Sequence, residues 1–174
     1  RVLSINLDFR NSSYEKALSL IAGSQPQLLI LEELTQDWES GLRETLAMFP
    51  YAARLSYDNA YPRGEDFVKL PFAGFMKNHK MSLGIFSKLP FEDIKLGQFA
   101  TYPMPYVMAQ LKFKNKPFTL FGVHLISPMG KVRSEVRNRQ LDALANEIKK
   151  INQPIVLVGD LNNTPWSPYF RDFI

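Results

Sequence analysis

Leu28-Leu29-Ile30-Leu31 is an uninterrupted apolar run, and it constrains the fold more than any other feature of the 174-residue chain. A strand sends successive side chains to opposite faces, so a strand with no polar face must be covered on both sides. Strand-like runs at Val2–Leu7, Ser82–Ser87, Tyr106–Phe113, Phe118–His124 and Ile155–Val158 repeat the pattern. Segments of helical period lie between them. Tyr14, Ala17, Leu18, Ile21 and Ala22 share one helical face, with Gly23 as the expected stop. Trp38, Leu42, Leu46 and Phe49 predict a second helix closed by Pro50, and residues 131–151 a long third one with Leu141, Leu144, Ala145 and Ile148 buried. Ser167-Pro168 opens a last helix, with serine as cap and proline in the first turn. Such alternation predicts a layered α/β domain.

Composition narrows the chemistry. The chain has no cysteine, which excludes disulfides, thiolate metal sites and a cysteine nucleophile. No apolar run approaches the roughly 20 residues of a membrane helix. The net charge of +4 allows an anionic partner without requiring one. Its distribution is uneven: residues 1–50 carry 4 basic and 7 acidic side chains, and residues 112–150 carry 9 and 3. The opening at Arg1, directly in an apolar strand, reads as a cut at a domain edge.

Polar groups follow directly on the apolar runs. Glu32-Glu33 follows Leu31, His124 ends its strand, and Asp160-x-Asn162 follows Val158 and Gly159, while Asn6 is lodged in the first strand. Strand ends and the loops they feed are where layered α/β proteins build sites. Together these residues offer oxygen ligands and an imidazole but no sulfur, a set suited to a hard cation such as Mg²⁺ rather than to zinc. Extending the stripe of the third helix backwards brings Arg137 and Gln140 onto its buried face, where polar groups need a partner or a ligand. Taken singly, each residue has a plainer explanation. Glu33 caps a helix, Asp160 and Asn162 form a turn, His124 is a hydrogen-bonded structural histidine, and Arg137 pairs with a carboxylate. Residues 58–81 read as a long loop, with His79 at the surface. Its mixture of Phe67, Phe72, Phe75, Met76 and Met81 with Lys69, Lys77 and Lys80 suits contact with a lipid surface, or a cover over the core.

Read in order, these segments resemble the endonuclease/exonuclease/phosphatase superfamily, the group of deoxyribonuclease I. The matching stretches are residues 1–6, 26–34, 82–90, 121–125, 137–141 and 154–168, the last ending in the Gly-Asp-Leu-Asn-Asn-Thr-Pro-Trp-Ser-Pro block at 159–168. The resemblance implies a four-layer α/β sandwich, with two mixed sheets face to face and helices outside. It implies a divalent-metal-dependent phosphoester hydrolase, using Mg²⁺ or alternatively Mn²⁺, on a nucleic-acid or phospholipid substrate. Glu33 and Asn6 would belong to the metal site. His124 would contact the scissile phosphate or assist the leaving group. Asp160 would orient the attacking water or help bind metal, Asn162 would hold the phosphate or its nucleophile, and Arg137 would bind the phosphate.

The block at 159–168 is similar to that of a bacterial branch often fused to membrane helices. This implies an extracytoplasmic domain with a tether outside residues 1–174. Two departures stand out. Glu32 replaces the usual glutamine, adding negative charge beside the cation. The Ser-Asp-His motif that closes the family's pattern is missing from these residues. The domain at 1–174 is therefore expected to be truncated before its final strands, to expose sheet edges, and to be inactive as it stands. The alternative function is a non-catalytic binding or scaffolding module that keeps the fold.

Overall fold

The apolar run at Leu28 forms the centre of strand β2 (Leu28–Leu34), and it is covered on both faces as its composition requires. A computed structural model describes residues 1–57, 80–99 and 104–174. Within them the first sheet holds β1 (Val2–Asn6), β2, β3 (Tyr51–Ser56) and β4 (Ser82–Ser87), in the order β1-β2-β4-β3. The second holds β5 (Phe91–Gln98), β6 (Pro105–Phe113), β7 (Lys116–His124) and β8 (Ile155–Asp160), in the order β5-β6-β7-β8. Both sheets are mixed. β1 runs parallel to β2 and β7 parallel to β8, and the other pairings are antiparallel.

The period-2 geometry of β2 separates two cores. Leu28 and Ile30 join Leu83, Ile85, Val107 and Phe121 between the sheets. Leu29 and Leu31 face outward onto helix α1 (Tyr14–Ser24) through Ala17 and Ile21, and onto Trp38 of α2 (Gln36–Gly41). The second sheet is backed by α4 (Gly130–Ile148), which follows the short α3 (Arg43–Leu46) in chain order and buries Val136, Leu141 and Leu144. Helix α5 (Pro168–Phe173) packs against α4. The result is the expected sandwich of two mixed sheets with outer helices.

Four local expectations are corrected. α1 runs past Gly23 and stops at Gln25, whose φ of 46° turns the chain left-handed while its N–H closes onto the Ile21 carbonyl. The second helix is two pieces, because the chain leaves helical geometry at Leu42 (φ −101°, ψ 8°). Just before that break, a Cβ on Gly41 would lie 2.5 Å from the Tyr14 ring. Strands β3 and β5 were not expected. β5 is an edge strand that leaves Ile94 and Leu96 exposed, so it lacks a clean apolar alternation.

Lys114-Asn115 forms a two-residue hairpin turn between β6 and β7, with both residues left-handed (φ 50° and 62°) and Phe113 opposite Lys116. His79 and most of the 58–81 loop lie outside the described residues. Met81, offered for lipid contact, is buried in the inter-sheet core. No helix among the described residues is long and apolar enough to cross a membrane.

The topology decides where chemistry can sit. Each parallel pair sends both its carboxyl ends to the same rim. Asn6 stands opposite Glu32 at the ends of β1 and β2, and His124 opposite Asp160 at the ends of β7 and β8. Because β1 and β2 pack over β8, the two pairs of ends meet.

Candidate active site

Glu33 reaches this rim through a defect in its strand. The pairing of β2 with β4 slips between Leu31 and Leu34, and Glu33 takes a φ of 55° within the slip. A bulge breaks the strict alternation of side chains, and a left-handed non-glycine residue at such a point is strain held by its surroundings. The Phe9 backbone N–H supplies part of that hold by donating to Glu33 Oε2 (3.1 Å). The other oxygen, Oε1, lies 3.9 Å from His124 Nε2 and 3.5 Å from Asn6 Nδ2.

Asn6 bridges the two carboxylates of the rim. Its Nδ2 also donates to Asp160 Oδ2 (3.1 Å), while its Oδ1 accepts the Asp8 N–H (3.1 Å). In this arrangement the amide offers hydrogen atoms rather than oxygen to the carboxylates. Asp160 is held through Oδ1 as well, which accepts the Asn162 N–H at 2.7 Å. That bond is the turn geometry an aspartate two residues before an asparagine favours, and it also fixes the carboxylate. Asn162 is left-handed (φ 47°), and its Nδ2 donates to the Leu125 carbonyl (2.7 Å), tying the loop after β8 to the end of β7.

Arg137 is placed behind this loop. Its guanidinium donates to the Asn162 carbonyl and, from Nε, to Asn138 Oδ1 (2.9 Å). Gln140, one turn further along α4, accepts the Ile126 N–H at 2.9 Å. Backbone groups of the loops after β8 and β7 thus partner both buried polar residues, while Gln140 Nε2 has no hydrogen-bond partner among the described residues. Arg137→Gln is expected to cost about 1–3 kcal/mol, the range for removing a partner from a buried polar group. Arg137→Lys should recover little of it, because lysine lacks the planar fork. Urea denaturation checks this, and a loss below about 0.5 kcal/mol for Arg137→Gln would contradict it.

His124 is buried, and Tyr57, wholly buried itself, places its hydroxyl 2.7 Å from His124 Nδ1. Burial pulls the imidazole below its ordinary pKa, while Glu33 and Asp160 oppose the shift. Glu32 is the third carboxyl group. It is 1% exposed, faces the interior beside Ser4, and accepts the Ser4 hydroxyl at 2.6 Å. Burial pushes its pKa up to about 7, against the Ser4 hydrogen bond and with smaller contributions from Asp160 and Glu33. The expected extra negative charge from Glu32 is therefore largely absent below that pH. Tyr57 and the buried state of Glu32 went unseen in the sequence. An alternating reading of Tyr51–Ser56 as a strand would have brought Tyr57 to the rim.

A cavity of about 600 Å³ opens on Asn6, Glu33 and His124. Arg133 and the Arg10–Asp8 ion pair (2.9 Å) add charged groups to its wall, and Phe9, Met81, Met104 and Met129 an apolar one. Among the described residues, no group of three or more His, Cys, Asp or Glu forms a metal cage. A hard cation that keeps its waters does not need one. Glu33 and Asp160 face a common amide at the rim, and two carboxylates meeting there fit a divalent cation that keeps several waters. Asn6 adds an oxygen ligand only with its amide turned over and the Asp8 N–H given up.

The sequence matches the profile of the endonuclease/exonuclease/phosphatase family over residues 3–174. The fold is similar to that of a D. rerio TDP2 humanized by 14 mutations, at 17% identity and a TM-score of 0.71, covering 99% of this chain and 65% of that one. D. rerio TDP2 complexed with a single strand DNA product gives 17% identity and a TM-score of 0.71, covering 99% and 63%. A β-hairpin deletion mutant of Staphylococcus aureus beta toxin gives 16% identity and a TM-score of 0.68, covering 99% and 70%. At these identities the likeness shows the fold, and the chain spans less than two thirds of either D. rerio structure. No curated protein sequence matches the chain.

Proposed function

The chain belongs to the endonuclease/exonuclease/phosphatase family, and from that premise we propose that the intact protein is a divalent-metal-dependent phosphodiesterase. One observation carries the reading. Four strand ends bring Glu33, His124, Asp160 and Asn6 to one rim, and one of them gets there only through a strained bulge. Strain of this kind persists where a side chain has to be aimed.

Glu33 would be the principal ligand of a Mg²⁺ or Mn²⁺ ion, with Asn6 beside it. When bound, such a cation supplies charge neutralisation at the phosphoryl oxygens. The other roles belong to the protein's own groups. Asp160, held through both oxygens, orients the attacking water. His124 faces the phosphate with Nε2 and contributes a hydrogen bond to the developing charge or to the leaving oxygen. Asn162 keeps the phosphate-facing loop in place, and Arg137 acts through Asn162 rather than on the substrate.

The cavity favours a phosphodiester carrying an apolar or aromatic group over a bare phosphate. Phe9 and the three methionines would meet that group while Arg133 meets negative charge, Arg10 being held by Asp8. Methionine walls adapt to flat bases and to acyl chains alike. The DNA product named for the D. rerio structure makes a single-stranded oligonucleotide the first substrate to try.

The test is hydrolysis of single-stranded DNA, a phospholipid vesicle and bis(4-nitrophenyl) phosphate by the intact, chelator-treated protein with Mg²⁺ returned. Cleavage of at least one substrate is expected only with the cation, falling at least about tenfold in Glu33→Gln. Folded protein that is inert on all three, with and without Mg²⁺ or Mn²⁺, would leave a non-catalytic binding module as the better account.

A further inference from the structure

Two neighbours grip the His124 ring from opposite sides. Tyr57 approaches Nδ1, with its hydroxyl oxygen at 2.7 Å and the ring centroids 5.9 Å apart. Glu33 Oε1 lies 3.9 Å from Nε2. Tyr57 is anchored by its backbone as well. Its N–H donates to the Met81 carbonyl (2.9 Å), which carries the β3–β4 ladder one step past the Ser56–Ser82 pair. The phenol is therefore delivered by the sheet itself, to a ring that is 6% exposed.

A neutral imidazole carries one proton, and the hydrogen bond at one nitrogen decides which nitrogen bears it. Two independent features choose the same tautomer. A phenol hydroxyl is a good donor, and an unprotonated Nδ1 gives it an acceptor at ideal O–H···N distance. On the other side, a bare Nε2 lone pair aimed at the Glu33 carboxylate would be repelled, whereas an N–H is attracted. We propose that Tyr57 is a positioning residue that fixes His124 in the Nε2-protonated tautomer, so that the ring presents a hydrogen-bond donor to the cavity. With its proton on that nitrogen, His124 is a donor to phosphoryl or leaving-group oxygen and not the base that activates water. The functional meaning rests on the phosphodiesterase reading above, and the tautomer itself does not.

The deciding measurement is ¹⁵N NMR of the intact protein labelled at histidine ring nitrogens, with the His124 signals identified by their loss in His124→Gln. The expected result is a pyrrole-type signal for Nε2 and a pyridine-type signal for Nδ1. Protonation on Nδ1, on both nitrogens, or averaging between tautomers overturns the proposal. Tyr57→Phe keeps the ring shape and removes the hydroxyl. It should move the Nδ1 and Nε2 signals toward each other, with Glu33 alone keeping part of the preference, and lower kcat about tenfold, with KM within about twofold, as loosening of one oriented donor predicts. Unchanged tautomer signals in a folded Tyr57→Phe protein overturn the assignment to Tyr57. The wild-type spectrum stands even if that variant does not fold. A wild-type protein with the expected tautomer but no hydrolytic activity rejects the function and keeps the positioning role.

Discussion

Replacing Gly159 by alanine is expected to destabilise the protein by at least about 4 kcal/mol, more than almost any other single substitution outside the core. Gly159 has a φ of +129°, in a region that side-chain-bearing residues hardly enter. It also stands opposite Val123 in the parallel pairing of β7 with β8. A Cβ added there would lie 1.8 Å from the Val123 carbonyl oxygen and 2.9 Å from its carbonyl carbon. Backbone atoms of a central strand cannot yield as a side-chain tip can, so β8 would have to part from β7. The parting would fall one residue before the His124–Asp160 pair, and both would leave the rim together. Gly23→Ala is the matched control. It lies in α1 with nothing within 4 Å of its Cβ position, and there alanine should gain about 0.5–1 kcal/mol. Urea denaturation of both variants decides the matter. A Gly159→Ala protein with the wild-type midpoint would refute the steric argument.

The same glycine illustrates what could be read before the structure. The Gly-Asp-x-Asn spacing was legible, because a turn-forming aspartate after an apolar run has few uses. The reason for the glycine was not, since it depends on the carbonyl of a strand 36 residues earlier in sequence. The main strands were legible where apolar runs were continuous, as at Leu28–Leu31. β5 was not, because an edge strand with one neighbour needs little apolar patterning. Glu33 and Glu32 show the limit most sharply. Adjacent residues on a regular strand point to opposite faces: Glu32 follows that rule into the interior opposite Asn6, and Glu33 reaches the rim only because the bulge breaks it. Arg137 and Gln140 were correctly seen as polar groups on a buried stripe. Their partners, the Asn162 carbonyl and the Ile126 N–H, belong to loops whose paths no local pattern encodes.

Glu32→Gln is expected to stabilise the metal-free protein by about 3 kcal/mol above neutral pH and to leave it nearly unchanged near pH 4. The sign follows from proton binding. Burial raises the Glu32 pKa from 4.5 in the unfolded chain to about 7 in the fold, outweighing the Ser4 hydrogen bond that favours ionisation. Between those values the folded state holds a proton that the unfolded state has released, so stability falls as pH rises through the window. Above it the carboxylate is ionised in both states, and the full cost of burying the charge beside Asp160 and Glu33 is present. Glutamine keeps an oxygen for the Ser4 hydroxyl, which now donates at 2.6 Å to Glu32, and carries no charge to bury. Below the window the two side chains are electrically alike, which makes the low-pH comparison an internal control for packing. The measurement is urea denaturation of both proteins with a chelator present, at about pH 4 and about pH 8.5, so that no cation bound near Glu33 enters the balance. A stability difference that widens with pH supports a buried, proton-holding carboxyl group at the floor of the rim. Parallel pH profiles would mean that Glu32 ionises as freely in the fold as in the unfolded chain, and that its burial imposes no electrostatic cost on this site.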